Sequence, residues 1–291
     1  MKSTINRLTD GTIELTITVP WIDVGKKYNE VVEETVKNTE VAGFRKGKAP
    51  RAVVEEKLDK TKVYEDVLKV LIPEVYDQAV REHQLHPIVS PKIELKEATE
   101  KKDWILRALT CERPSITLGA YKKAISDLKT SKAKKIWVPG QDVVKKPGEK
   151  PESEQGPQKP SLDEILKALY DTVTTTIPAL LVEHEVNRLL SDLIDQTRKL
   201  GMSIEQYLSS TGRTSESVRK EYDEQSRRTL TLEFALEEVA DKEGILISDD
   251  DIDTVIKTAK TDQEKKTLEA QRYYIASVLR RQKTIDFLAA V

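Results

Sequence analysis

Close to its N-terminus the chain alternates strictly between polar and apolar residues. Over residues 12–19, the apolar side chains are Ile13, Leu15, Ile17 and Val19. This two-residue period is typical of a strand with one buried face, and Pro20 ends it because proline has no N–H to donate to a sheet. From Trp21 the apolar spacing changes to three and four residues, which predicts a helix that runs to Gly43.

The pattern predicts further helices and strands in the N-terminal third. Pro50 suits the first turn of a short helix that ends near Leu58. A longer helix follows, and Pro73 is expected to kink or interrupt it. Extended chain is expected at residues 93–95 and again at residues 104–110, where it should pair with the first strand. These elements predict a compact α+β domain.

A shift in composition follows this domain. Residues 129–160 contain five of the twelve prolines, which is typical of an extended linker that cannot bury enough surface to order itself. Beyond it we expect only helices, the last from about Gln263 to Leu288. Helix-capping residues are predicted at Ser161, Ser203, Thr214 and Ser248. The pattern therefore predicts an elongated helical bundle in the C-terminal half.

Charge and composition exclude several classes of protein. The 291 residues include 48 Lys and Arg against 50 Asp and Glu, so the net charge of -2 argues against a surface that grips nucleic acid over its whole extent. No stretch approaches the roughly 20 apolar residues of a membrane-spanning helix, and the polar N-terminus is unlike a signal peptide. The single cysteine, Cys111, excludes an intramolecular disulfide. We expect a cytoplasmic protein with no membrane contact.

Catalytic and metal-binding patterns are missing from the sequence. The only histidines are His83, His86 and His184, and no third ligand accompanies the first two. The aspartates within residues 249–253 do not form a calcium loop, because Thr254 stands where such a loop needs glycine. They fit the positive end of a helix dipole instead. We therefore predict no metal, no cofactor and no catalytic residue.

One loop stands out by its positive charge, because residues 41–51 contain four bases and no acid. It reads Gly43-Phe44-Arg45-Lys46-Gly47-Lys48-Ala49-Pro50. A loop of this kind projects cations and backbone N–H groups toward a polyanion, and an exposed aromatic side chain can stack on a partner. The alternative, which the residues leave open, is a solvated turn between helices with Phe44 packed into its own domain.

This loop resembles the ribosome-docking signature of the trigger factor family of bacterial chaperones. Other stretches that fit the family in the same order are residues 114–122, Ile177-Pro178, residues 201–208 and residues 245–252. The resemblance implies an α+β N-terminal ribosome-binding domain over residues 1–122. It also implies an elongated, mostly α-helical chaperone domain over residues 161–291, similar to the chaperone region of the periplasmic SurA-type proteins.

The family usually carries an FKBP-like prolyl isomerase domain between these two parts. Here only 39 residues separate Tyr121 from Ser161, fewer than the roughly 50 residues of a small domain. We therefore predict a linker over residues 123–160 in place of that domain, and a protein that is not an enzyme. The alternatives are isomerase activity retained by family membership, a holdase that works without ribosomes, and an RNA-binding adaptor.

The resemblance implies an ATP-independent chaperone that docks on the large ribosomal subunit and shields hydrophobic segments of nascent chains. Its partners would be RNA and protein at the tunnel exit, unfolded nascent polypeptides and, away from the ribosome, a second copy in a weak homodimer. The implied ribosome-binding residues are Gly43, Phe44, Arg45, Lys46, Gly47, Lys48 and Pro50. The candidate client-binding residues are Leu181, Leu189, Ile194, Tyr222 and Phe234.

Overall fold

The computed structural model describes residues 1–38, 50–55, 58–133, 160–259 and 261–291. The strands are β1 (Lys2–Arg7), β2 (Thr12–Val19), β3 (Lys92–Glu97), β4 (Trp104–Cys111), β5 (Ile116–Leu118) and β6 (Val173–Thr175). The helices are α1 (Trp21–Asn38), α2 (Arg51–Glu55), α3 (Lys60–Glu82), α4 (Tyr121–Ala133), α5 (Leu162–Tyr170), α6 (Ala179–Lys199), α7 (Ile204–Thr211), α8 (Ser215–Lys242), α9 (Asp249–Ile256), α10 (Asp262–Ala270) and α11 (Arg272–Ala290). The chain divides into unit 1, residues 1–113 and 178–185, and unit 2, residues 114–177 and 186–291.

Unit 1 is built on an antiparallel sheet with the strand order β1-β2-β4-β3. The predicted pairing of the first strand with residues 104–110 is confirmed, because Leu15 of β2 lies opposite Ala108 of β4. The inward side chains of both strands are buried in one core with residues of α1 and α3. Strand β1 was not predicted, since its residues are nearly all exposed and show no apolar alternation.

The helices of unit 1 follow the sequence pattern with one difference. Helix α1 begins at Trp21 as predicted, and its expected end at Gly43 lies outside the described residues. Helix α3 runs through Pro73 without a break, so of the two predicted effects, a kink or an interruption, the interruption is wrong. Its buried residues Val67, Leu71, Val75 and Ala79 recur every four positions on both sides of the proline. Their packing against the sheet offsets the lost backbone hydrogen bond.

The core of unit 2 lies where α4, α5, α8 and α11 meet. Its buried residues include Tyr121, Ile125, Leu169, Val239 and Leu288. Strands β5 and β6 pair beside this core, so the expectation of helices alone beyond the linker is wrong at Val173–Thr175. A three-residue strand is too short to show a two-residue period, although its β-branched residues favour extended chain.

The structure differs from the predicted linker at its start. Residues 123–133 belong to α4, whose Tyr121 and Ile125 are 2% and 0% exposed. With the half-buried Leu128 they recur at helical spacing, and that apolar stripe orders this segment. Residues 134–159 lie outside the described residues.

The predicted helix caps are confirmed. The side chains of Ser161, Ser203, Thr214 and Ser248 each accept a hydrogen bond from the backbone N–H three residues further on. The single helix expected over residues 263–288 is wrong, because α10 and α11 meet at Gln271. The N–H of Gln271 donates to the carbonyl of Leu268, only three residues back, at 3.0 Å, and this tight turn ends α10.

Candidate functional site

The basic segment predicted to dock on the ribosome is bounded by α1 and α2. Of its predicted docking residues, Gly43, Phe44, Arg45, Lys46, Gly47 and Lys48 lie outside the described residues. Pro50 is described and exposed, and its carbonyl accepts the backbone N–H of Val53 at 3.0 Å, which starts α2. The side chain of Val54 is 1% exposed and packs against Val36 of α1, so the two flanking helices are in contact.

Arg51, the last base of this segment, has a structural role. Its guanidinium donates to Asn29 Oδ1 at 2.6 Å and to Glu55 Oε1 at 3.2 Å. The hydrogen bond to Glu55 raises the pKa of Arg51 above its ordinary value. Because Arg51 ties α2 to α1, the docking prediction rests on the cations of Arg45, Lys46 and Lys48.

Unit 2 exposes large apolar side chains on its helices and turns. Their exposed fractions run from 41% for Ile194 to 91% for Tyr273. We call these residues the exposed apolar set: Leu162, Ile194, Leu200, Leu246, Tyr273, Tyr274 and Val278. Three of them lie within six residues of α11, and Tyr274 and Val278 share one helix face because they are four residues apart. Scattered apolar residues need no explanation, but a cluster of them indicates an interaction surface.

The five predicted client-binding residues differ in exposure. Ile194 is exposed, and Leu189, Tyr222 and Phe234 are half-buried. Leu181 is 8% exposed and belongs to unit 1. A side chain buried to that degree has little surface left for a client, so contact through Leu181 would need local unfolding.

The most exposed apolar residues were not predicted from the sequence. Leu246 and Tyr273 lack the helical spacing that marks a core stripe. The stripe of α11 includes the buried Ile275 and Leu288. Tyr273 lies two residues, or roughly 200°, from Ile275, and therefore on the opposite side of the helix. A large aromatic residue on the polar side of an amphipathic helix is the signal that could have identified it.

Charge pairs hold α11 against α9. Arg272 donates to Asp253 at 2.6 Å and to Asp249 at 3.0 Å, and Lys283 donates to Asp251 at 2.8 Å. The hydrogen bond from Lys283 is the largest cause that lowers the pKa of Asp251 to about 2. The aspartate run is thus the start of a capped helix, as predicted, and its carboxylates fix the helix that carries Tyr273.

The described residues offer neither a metal cluster nor an accessible thiol. Among the described residues, no cluster of three or more His, Cys, Asp or Glu is placed to hold a metal ion. No helix in the described part of the chain has the length and hydrophobicity needed to cross a membrane. Cys111 is fully buried, and burial raises the pKa of its thiol to about 11. It is a core residue, because a nucleophilic cysteine needs an accessible thiolate.

Two family models match nearly the whole chain. The model described as "Bacterial trigger factor protein (TF)" matches residues 1–143. The model described as "Bacterial trigger factor protein (TF) C-terminus" matches residues 152–290. Only residues 144–151 lie between the two matched regions.

Individual relatives agree with these models. A trigger factor of Carboxydothermus hydrogenoformans is 25% identical over 420 residues, which cover 99% of this chain and 98% of the relative. Because this chain has 291 residues, well over a hundred positions of that relative have no counterpart here. Trigger factors of Staphylococcus epidermidis and Lactiplantibacillus plantarum are 35% and 32% identical over 108 and 110 residues. Those two alignments cover 37% and 38% of this chain and 25% of each relative.

A solved structure shares the fold. It comes from work on promiscuous substrate recognition in the folding and assembly activities of the trigger factor chaperone. It matches with a TM-score of 0.64 over 100% of this chain and 99% of the solved chain, at 15% sequence identity. The N-terminal and C-terminal models of one family, matched in order along the sequence, agree with this fold. The chain belongs to the bacterial trigger factor family.

Proposed function

We propose that this protein is a ribosome-associated chaperone that shields hydrophobic segments of newly made proteins without using ATP. The observation that carries the proposal is the exposed apolar set on the helical unit of a trigger factor family chain. Apolar surface removed from water stabilises a contact by about 25 cal/mol per Å², so each such side chain adds a weak, non-directional contact with an unfolded client.

Weak contacts suit a chaperone that releases its client without a nucleotide. A client held by several separate side chains dissociates as these contacts break one after another. Charged residues surround the apolar ones, as Arg198 and Lys199 do before Leu200, and keep the surface soluble. The proposed client-binding residues are therefore the exposed apolar set together with the partly accessible Leu189, Tyr222 and Phe234.

The basic segment supplies the ribosome contact in this proposal. Arg45, Lys46 and Lys48 would bind phosphates of ribosomal RNA and acidic side chains on the large subunit, with Phe44 packed against a protein beside the exit. Docking raises the local concentration of the helical unit around the emerging chain. A cytoplasmic location follows from this role. A weak homodimer away from the ribosome stays a prediction, which sedimentation velocity over a concentration series would check.

The proposed chaperone has no prolyl isomerase activity. The eight residues between the two matched regions support this, because an isomerase domain would need roughly 50 residues or more. A protease-free assay with a proline-containing peptide is expected to show no acceleration by the purified chain. Acceleration that scales with protein concentration would show that the activity is retained.

The client surface is tested with a triple variant, Tyr273→Ser, Tyr274→Ser and Val278→Ser. We expect it to suppress the aggregation of a chemically unfolded client less effectively than the parent chain, measured by light scattering without ribosomes. The control variant is Gln282→Ser with Asp286→Ser, which changes two exposed polar residues of the same helix. Full suppression by the triple variant would contradict a client surface on α11. Far-ultraviolet circular dichroism checks that both variants fold.

A further inference from the structure

Unit 1 carries a cavity of about 230 Å³ beside α1 and the start of α3. Three aromatic side chains, one glycine and three polar residues line it: Trp21, Tyr28, Tyr64, Gly25, Asn29, Lys60 and Glu100. Pockets for small-molecule ligands usually measure roughly 300–1,000 Å³. This cavity is smaller, and its size fits one large side chain better than a cofactor.

The aromatic wall of the cavity is held in place from behind. The ring centroids of Tyr28 and Tyr64 are 5.3 Å apart, and Tyr64 lies 5.7 Å from Trp104 of β4. Both pairs are tilted at distances that are favourable for aromatic rings. Trp104 is 3% exposed and fixed in the sheet, whereas Tyr28 and Tyr64 are half-buried. The series of rings therefore ends at an open face that a further ring can extend.

Neither the packing nor the backbone conformation of the fold explains why residue 25 is glycine. It lies inside α1, where glycine is less favourable than alanine. A Cβ atom at this position would meet no atom within 4 Å, so packing does not require glycine there. Its backbone conformation is one that other residues adopt, because its φ is not positive. What glycine does here is leave one wall of the cavity without a side chain.

The rim of the cavity is polar and electrically balanced. Asn29, Lys60 and Glu100 are all exposed, and no ion pair of Lys60 or Glu100 occurs among the described residues. Their opposite charges cancel, so the lining favours neither a cation nor an anion. A carboxylate accepts hydrogen bonds and an ammonium group donates them. The Oδ1 atom of Asn29 already accepts from Arg51, so its NH2 group is the part that donates to a client. Together they match the N–H and C=O groups of an extended peptide backbone.

We propose that this cavity binds a single aromatic side chain of an extended client segment, whose backbone is held at the rim by Asn29, Lys60 and Glu100. The inference rests on the proposed chaperone function. It adds to that function a second client contact, on unit 1, that selects aromatic rather than general apolar side chains.

The test uses the full chain and a neutral, unstructured host peptide with one central Phe, Leu, Arg or Ala. Binding is read from the NMR signal of the Trp21 indole N–H, assigned with the variant Trp21→Phe. The Phe peptide is expected to shift this signal and to bind at least about threefold more tightly than the Leu peptide, as an added aromatic contact implies. The Arg and Ala peptides should bind more weakly than either.

Two variants at one position separate filling of the cavity from helix stabilisation. Gly25→Leu places a side chain in the cavity and should abolish the response to the Phe peptide. Gly25→Ala also removes the glycine from α1 but adds only one methyl group, which leaves the cavity open. It should therefore retain the response to the Phe peptide. Thermal unfolding checks that both variants are at least as stable as the parent chain.

Several results would overturn the inference. Equal binding of the Leu and Phe peptides would remove the aromatic selection, and tighter binding of the Arg peptide that Glu100→Gln weakens would assign the cavity to a cation. An unchanged response in Gly25→Leu would mean that the Phe peptide binds elsewhere.

Gly25→Leu should still suppress client aggregation through the exposed apolar set. Failure of the parent chain to suppress aggregation would contradict the proposed function. A parent chain that suppresses aggregation but shows no Trp21 response to the Phe peptide would contradict only this inference.

Discussion

Replacing Gly119 with alanine is expected to destabilise unit 2. A Cβ atom at this position would lie 2.6 Å from the backbone oxygen of Thr172 and 3.3 Å from its Cβ. That oxygen cannot simply move away, because it accepts the N–H of Gly119 itself at 3.0 Å. The two residues adjoin the paired ends of β5 and β6, where Leu118 lies opposite Val173. Relief of the clash therefore has to separate these strands.

The size of the effect follows from the clash that alanine introduces and the hydrogen bond that is lost. Overpacking with a backbone shift costs about 1–3 kcal/mol, and a lost backbone hydrogen bond costs about 1 kcal/mol. The free energy of unfolding of unit 2 should therefore fall by about 2–4 kcal/mol. For a unit of this size, each kcal/mol lowers Tm by about 2–4 °C, so we expect a loss of about 4–16 °C.

The matched control is the same substitution at Gly25. A Cβ at Gly25 meets nothing within 4 Å, and alanine is favoured inside α1, so Gly25→Ala should gain about 0.5–1 kcal/mol. Thermal unfolding is followed by circular dichroism, and amide hydrogen exchange of residues 114–133 locates the change. The reasoning would be refuted if Gly119→Ala were as stable as the parent chain, or if the two variants ranked in the opposite order.

Three further predictions follow from buried or paired groups. Leu288→Ala removes a fully buried side chain from the core of unit 2, so urea unfolding should show a loss of about 2–5 kcal/mol, and an unchanged midpoint would contradict this. Folding lowers the pKa of Asp251 to about 2 from its ordinary value of 3.8, so its contribution to stability is fully present above about pH 3.8 and is lost as the pH falls through about 2. Over this range of pH, the Tm of Asp251→Asn should change less than the Tm of the parent chain. Equal changes of Tm with pH in the variant and the parent would refute the role of Asp251. The Cys111 thiol, buried and with a pKa of about 11, should resist iodoacetamide at neutral pH until urea unfolds unit 1, whereas rapid labelling of the native chain would show that it is accessible.

Most regular elements could be predicted because their side chains alternate between core and solvent over enough residues. Strand β2 and helix α1 show their periods over 8 and 18 residues. The elements that were missed lack such a signal. Strand β1 exposes nearly every residue, β6 has only three, and α3 continues through Pro73 because its buried stripe packs on a sheet formed elsewhere in the chain.

The docking segment can be identified from the sequence, whereas the exposure of individual apolar residues cannot. The segment around Arg45 stands out because charge and glycine content are local properties. Exposure is not local. Leu181 and Ile194 lie on one helix and look alike in sequence, yet one is 8% and the other 41% exposed. Which apolar side chain faces water depends on segments far away in the chain, and only the folded structure places those.

Cosedimentation with vacant bacterial ribosomes over a salt series tests the ribosome-tethered chaperone most directly. Each phosphate contact adds roughly 0.7–0.9 to the slope of log affinity against log salt, so Arg45→Ala with Lys46→Ala should reduce that slope by about 1.5. Phe44→Ala should instead weaken binding by a constant factor at every salt concentration, because it removes no charge. The account predicts binding that falls with salt and disappears in the triple variant Phe44→Ala, Arg45→Ala and Lys46→Ala. No binding of the parent chain at low salt, or equal binding by the triple variant, would contradict it.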